Sequence, residues 1–400
     1  MPTHLPLRSL WHSDALYRAR QQLLLRDEST VAMQIAVSEI AAPTGEEHAR
    51  AMWIAERFRR LGLCDVRTDE AGNVIGSRRG VADEPPVVVC AHLDTVFPHG
   101  TEVSVTRAGA RLAGPGIGDN GRGLAAMLAL AEVIDGRQLR TVAPVEFIAT
   151  TGEEGTGDLR GAKCAFADAA VTAAIALDGA GDERIVNRAL GSRRYRIAFR
   201  GPGGHSWTAF GVPNAVHAAA IAAAKLARLP LPREPRTTLS VGRIGGGISV
   251  NTIPDEGWLE IDVRSTSCYA LDLIERELRH VARVARDEEN DRSTRGSAPL
   301  SVVVQLIGDR PSGETAASHP LVVMAMEATR LVGREPELAT ASTDANVPIS
   351  RGIPAIAIGA GGRGGDAHTP GEWFDNTDAC LGIARALGVV VGVAGVSCEL

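Results

Sequence analysis

Two histidines and a group of carboxylates stand at the ends of short apolar runs, and their types and spacing suit metal chemistry. His92 and Asp94 close the run PVVVCA, two residues apart and so on the same side of an extended chain. Glu153 and Glu154 follow VEFIAT, Asp178 follows TAAIAL, and His368 lies in the loop after PAIAIG. Asp119 sits inside a glycine-rich turn, GPGIGDNGRG. Taken singly, each has a plainer reading: a structural histidine, a solvated turn, a carboxylate capping a loop. Their recurrence at run after run is what those readings explain poorly. Imidazole with carboxylate and no thiolate suits zinc, with cobalt or manganese as substitutes. Crowded carboxylates without arginine partners nearby in sequence repel one another, and two divalent cations would settle that repulsion. Such a pair, sharing a bridging carboxylate, would sit about 3.5–4 Å apart and hold a hydroxide between them. A carboxylate outside the ligand set must take the water's proton, and the Glu153–Glu154 pair can supply one ligand and one base.

The glycine-rich turn has a rival interpretation. Gly116, Gly118 and Gly121 spell G-x-G-x-x-G before a helical stretch, the pattern of a dinucleotide-binding turn. That turn needs a buried strand before it, and TRAGARLAGP, with two arginines and a proline, does not read as one. Asp119 would also place a carboxylate against an incoming phosphate. The same carboxylate suits a cation.

The elements that must position these groups follow from the apolar pattern. Residues 14–60 read as helices, the last opened by Thr44 as N-cap. The runs at 86–91, 145–150, 172–177 and 354–359 are continuous and apolar, as expected of strands buried on both faces, with helices such as 121–134 between them. This is an α/β domain with a central, mostly parallel sheet, whose functional crevice lies beyond the carboxyl ends of its strands. The middle of the chain changes character: an alternating strand at 193–200, further strands at 237–244, 257–265 and 300–307 and helices at 214–229 and 270–289 give the order β-α-β-β-α-β. Residues 192–307 therefore read as a ferredoxin-like α+β domain inserted between 1–191 and 308–400 of the first.

Composition excludes several classes. The 400 residues are 44% apolar and 22% charged, ordinary for a globular protein, and long enough for two domains. A net charge of −6 gives no electrostatic case for nucleic acid or an anionic membrane. No run reaches the length of a membrane span, and the N-terminus lacks the apolar core of a signal peptide, so a cytoplasmic protein is expected. Six scattered cysteines without a C-x-x-C pair fit reduced thiols.

The segments AHLDTV, GIGDN, TGEEG, LDG, GGHS, VNTIPD with DVRS, and DAHTP occur in the order found in the M20 family of metallopeptidases, which the chain resembles from about residue 35 to its end. The resemblance implies a zinc-exopeptidase-like domain carrying an inserted lid, or dimerisation, domain. It implies two Zn2+ ions per chain, with Asp119 bridging them, His92 and Asp178 completing one site, and Glu154 and His368 the other. Glu153 would be the general base and Asp94 would orient His92. The Asp119–Asn120 peptide is expected to be cis, as it commonly is in the family. From the lid, His205 matches the histidine that steadies the tetrahedral oxyanion in a partner's site, while Asn251 and Arg264 match positions that grip a substrate carboxylate. The implied activity is hydrolysis of an amide bond in small peptides by a homodimer, or deacylation of N-acyl amino acids at the same site. Asp at position 178 accompanies peptidases in the family, and Glu usually accompanies deacylases. Many relatives have Lys two residues after the bridging Asp; here Gly121 stands there, with Arg122 next.

Overall fold

The structure, a computed structural model, describes residues 6–135, 139–168, 170–294 and 296–397. The chain divides into two compact units, one of residues 1–189 with 314–400 and one of residues 190–313.

The first unit is built on a mixed sheet. Its strands are β1 (Cys64–Thr68), β2 (Val74–Arg78), β3 (Val87–His92), β4 (Val145–Thr150), β5 (Ala173–Leu177), β6 (Arg184–Ala189), β7 (Glu337–Ala341) and β8 (Ala355–Ile358). They lie in the order β1-β2-β4-β3-β5-β8-β6, and β7 also pairs with β6. The strands β4, β3, β5 and β8 are mutually parallel. On the flanks, β1–β2, β2–β4 and β8–β6 are antiparallel. The sheet is therefore mixed: its centre and the β6–β7 pair at its edge are parallel, as expected, and the remaining flanking pairs are antiparallel. The links 69–73 and 178–183 are too short for the crossover that parallel strands need, so the chain turns straight back at both places.

Side chains alternate across the sheet. Val87, Val89, Ile175 and Leu177 face a core shared with helices Asp14–Leu25, Gly121–Val133, Pro320–Leu331 and Cys380–Ala394. Val88, Cys90, Ala174 and Ala176 face a second core with helices Arg160–Ala165 and Asn346–Ser350. Both faces are covered, which is why these runs are apolar without a break. The helix expected to open at Thr44 begins later, at His48–Arg60, with no side-chain cap. Thr44 instead donates its hydroxyl to Asp94.

The second unit carries an antiparallel sheet in the order Thr237–Gly246, Glu256–Ser265, Gly191–Arg200, Ser301–Arg310. Tyr195, Ile197, Phe199, Leu259, Ile261 and Val263 pack under helices Ala215–Leu226 and Cys268–Asp291. The long helix buries Leu271, Ile274, Leu278, Val281 and Ala285, the three- and four-residue spacing of one helix face. The chain order and the antiparallel sheet with two helices make this unit ferredoxin-like. Among the described residues no helix is long and apolar enough to cross a membrane.

Candidate metal centre

Because β3, β4, β5 and β8 run the same way, their carboxyl ends share one edge of the sheet, and the groups that follow them converge there. His92 Nε2 lies 2.9 Å from Asp119 Oδ1 and 4.0 Å from Asp178 Oδ1. His368 Nε2 lies 3.2 Å from Asp119 Oδ2 and 2.9 Å from Glu154 Oε1. Each oxygen of Asp119 thus faces a different imidazole. Ligating atoms of His92, Asp119 and Asp178, and separately those of Asp119, Glu154 and His368, fall within 4.8 Å of one another. A third set, His92, Glu153 and Glu154, meets the same limit. The first unit therefore brings together His92, Asp119, Glu153, Glu154, Asp178 and His368, with Asp94 beside them. A cavity of about 980 Å³ opens next to Asp119 and Asp178, with Arg363 and Trp373 among its walls.

Main-chain contacts hold His92 and Asp94 in place and brace the loops around them. His92 Nδ1 lies 3.0 Å from the Asp94 carbonyl, so this nitrogen carries the proton and Nε2 offers its lone pair when the ring is neutral. The Asp94 carboxylate lies farther from that nitrogen, at 3.6 Å, and accepts instead from the N–H groups of Glu153 and Glu154, each at 2.9 Å. Arg50, fully buried, donates to the Leu93 carbonyl at 2.7 Å, between His92 and Asp94. Glu47 accepts from Gly152 N and pairs with Arg160 behind the Glu153 loop.

The glycine-rich turn has its own fastening. The Asp119–Asn120 peptide is cis. Asn120 caps helix Gly121–Val133 by accepting from Gly123 N; its Nδ2 donates to Leu177 O and its Oδ1 also accepts from Gly179 N. It thereby grips the residues on both sides of Asp178. Gly116 adopts φ +72°, and a Cβ at Gly121 would overlap Ser38 Oγ, so the motif's glycines serve a tight turn that aims a carboxylate. Glu372 accepts from three N–H groups of the same turn. The sequence reading missed Arg50, Asn120 and Glu372, whose partners are main-chain atoms and leave no mark in the pattern of residue types.

Protons and charges are strongly displaced in this cluster. Burial works against charge on His92, but the hydrogen bond to Asp119 and the Asp94 carboxylate close by overcome it and hold the ring's pKa well above its ordinary value. The hydrogen bond to Asp119, with Glu154 nearby, raises His368 to about 9. Burial, reinforced by the Asp119 charge, pushes Asp178 up to about 7, and burial raises Glu154 as well. Asp119 is held well below the usual carboxylate range by both histidines, against its burial. No lysine or arginine pairs with Asp119, Glu154 or Asp178 among the described residues; protons on imidazole do that work. Two imidazoles and three carboxylates sharing one central carboxylate are a donor set that fits a pair of divalent cations.

The other sequence-predicted residues belong to the second unit. His205 lies in the short pairing Gly204–His205 with Thr252–Ile253, exposed, its Nδ1 accepting from Trp207 N at 3.2 Å. Asn251 is exposed and accepts from Ser249 Oγ. Arg264 donates to Asp262 at 2.7 Å. Arg122 does not reach the cluster: it is fully buried and donates to the carbonyls of Ala360 and Ala379.

Residues 88–390 match the model of peptidase family M20/M25/M40. No curated protein matches the chain. Among solved structures, it is similar to a tripeptidase from Staphylococcus aureus, at 25% identity over 94% of this chain and 98% of that one, with a TM-score of 0.74. Aminopeptidase PepT from Bacillus cereus gives 23% identity over 92% and 99%, also at 0.74. A dinuclear metal-binding M20 peptidase from Bacillus subtilis gives 19% identity over 92% and 99%, at 0.65.

Proposed function

The chain belongs to peptidase family M20/M25/M40 and is a metal-dependent hydrolase, and on that premise we propose that it is a di-zinc exopeptidase of small peptides. The observation that carries the proposal is Asp119, whose two oxygens face His92 and His368 separately. In this reading His92 and Asp178 would hold one ion and Glu154 and His368 the other, with Asp119 serving both; metal bound there would supply a water of lowered pKa and a polarised scissile carbonyl.

The chain's own groups do the rest. Glu153, buried and held through its N–H by Asp94, accepts the water's proton and delivers it to the departing amine. Asp94 keeps the His92 loop and the Glu153–Glu154 loop in register. His205, Asn251 and Arg264 are assigned to the substrate's oxygens, on the strength of the motifs that carry them. For Arg264, releasing Asp262 is part of that role. The enzyme works in the cytoplasm, a reading supported by the free thiols of Cys64, Cys90, Cys164, Cys268 and Cys380. It acts as a homodimer through its second unit, where Trp207, Phe210, Ile248 and Val250 are exposed.

The test is turnover of a mixed panel of di- and tripeptides and N-acyl amino acids, as prepared, after chelation and after zinc is restored. Peptide hydrolysis that chelation abolishes and zinc returns is the expected result. Turnover confined to N-acyl amino acids would make the chain a deacylase, and turnover indifferent to chelation would end the metal reading. Glu153→Ala should keep fold and bound metal while losing roughly a thousandfold in kcat.

A further inference from the structure

Glu372 stands four residues after His368 and is almost wholly buried, yet it pairs with no cation among the described residues. Its Oε1 accepts the N–H groups of Gly118 and Asp119, each at 2.8 Å, and its Oε2 accepts that of Gly116 at 2.9 Å. The Glu372 carbonyl accepts from Gly114 N, so main chain and side chain grip the same turn. A Cβ at Gly118 would lie 3.1 Å from Oε1, a close approach that glycine permits. The next residues, Trp373–Asp375, pair with Arg111–Ala113 on one side and Arg363–Gly365 on the other. The limb that carries His368 is thus fastened to the limb that carries Asp119.

Asp94 shows the same arrangement on the other side of the cluster. It follows His92 by two residues and accepts the N–H groups of Glu153 and Glu154. In both cases a carboxylate just after a histidine fixes the backbone that presents a different carboxylate.

We propose that Glu372 is a positioning residue for the metal pair: it fixes Asp119 relative to His368, and because Asp119 is shared, it sets the geometry of both ions at once. The proposal rests on the dinuclear reading above. Carboxylates that orient ligands in this way typically change metal affinity 10- to 100-fold when removed.

Cobalt(II) tests it without any turnover assay. The metal-free chain is titrated with cobalt while the visible d–d absorption is followed, for wild type, Glu372→Ala and Glu372→Gln, with far-UV circular dichroism as the check of fold. Wild type should take up two ions. Glu372→Ala should bind cobalt at least roughly tenfold more weakly and with an altered band shape. Glu372→Gln should fall between, since its oxygen can still take two N–H groups while its amide opposes Gly116 N–H. Folded variants that match wild type in stoichiometry, affinity and spectrum would overturn the proposal. Where Glu372→Ala fails to fold, Glu372→Gln decides. A wild-type chain that binds no cobalt overturns the metal reading itself, which the wild-type arm shows separately.

Discussion

The two units use arginine in opposite ways. In the first, Arg50, Arg122 and Arg385 are each no more than 1% exposed and bond to main-chain carbonyls: Arg50 to Ser38, Ile40 and Leu93, Arg122 to Ala360 and Ala379, Arg385 to Gly359 and Arg184. Burial lowers all three to a pKa of about 10, which still leaves them charged at neutral pH. In the second unit four arginines lie along the sheet face opposite the helices and pair with carboxylates: Arg196 and Arg243 with Glu260, Arg194 and Arg264 with Asp262, and Arg196 and Arg243 also stack on Trp258. A half-solvated ladder of this kind is replaceable one rung at a time. A dry guanidinium among carbonyls is not, because most of the bonds it makes satisfy buried acceptors, those of Ser38, Leu93, Gly359, Ala360 and Ala379. Leu93, Gly359 and Ala360 all lie where strands hand over to the loops of the histidine–carboxylate cluster. The first unit's buried charge therefore serves position.

The hardest blow to that contrast is Arg50→Met. It strips the buried carbonyls of Ser38 and Leu93 and the half-buried one of Ile40 of their donor and should cost roughly 2–6 kcal/mol, at about 1–3 for each of the two buried groups left unpaired. Urea unfolding measures it as a lower midpoint at constant slope; a loss under about 1 kcal/mol would erase the difference between the units. Next is Asn120→Ala, which removes a helix cap and both bonds flanking Asp178. A destabilisation of about 2 kcal/mol is expected, and metal uptake by calorimetry should weaken with it.

A pH series sharpens the comparison further. In the metal-free protein His368 titrates at about 9 against an ordinary 6.5, and Asp178 at about 7 against 3.8. Both raised values mean that the folded state binds more protons than the unfolded one, so stability falls as pH rises. Asp178's contribution goes between about pH 4 and 7, and His368's between about 6.5 and 9. The Tm of chelated protein should therefore drop from pH 6 to 9. The Tm of zinc-loaded protein should drop less, because the ions replace the protons. The second unit's arginine ladder does not change charge in that window. The smallest effect belongs there: Arg196→Met should shift stability by about 1 kcal/mol or less, and less still at high salt.

The histidine–carboxylate cluster was legible in the sequence because fully buried parallel strands write themselves as unbroken apolar runs, and each run ends on a residue of distinct chemistry. His92, Glu153, Glu154 and Asp178 needed only that rule to be brought to one edge. His368, nine residues beyond its run, and the place of Asp119 between the two imidazoles needed the order of motifs as well. The flanking strands β1 and β2 were missed, since CDVRT and VIGSR are short and broken by polar residues. Thr44 looked like a cap because a threonine before glutamates usually is one. Here Gly45, at φ +98°, turns the chain first and frees the hydroxyl for Asp94. Arg122 was equally opaque, as a cation beside the turn of Asp119 that points inward to two carbonyls.

Asn120 is followed by glycine, the pairing most given to spontaneous ageing, in which the next residue's main-chain nitrogen attacks the side-chain amide and the asparagine is lost as a succinimide. Here that nitrogen donates to Gly116 O at 2.9 Å, and the amide is held at both its oxygen and its nitrogen. The attack would require breaking the fastening that keeps Asp119 and Asp178 in register. The protein's chemical shelf life at this position is thus tied to its fold: the turn ages when it opens, and what it loses by ageing is the donor to Leu177.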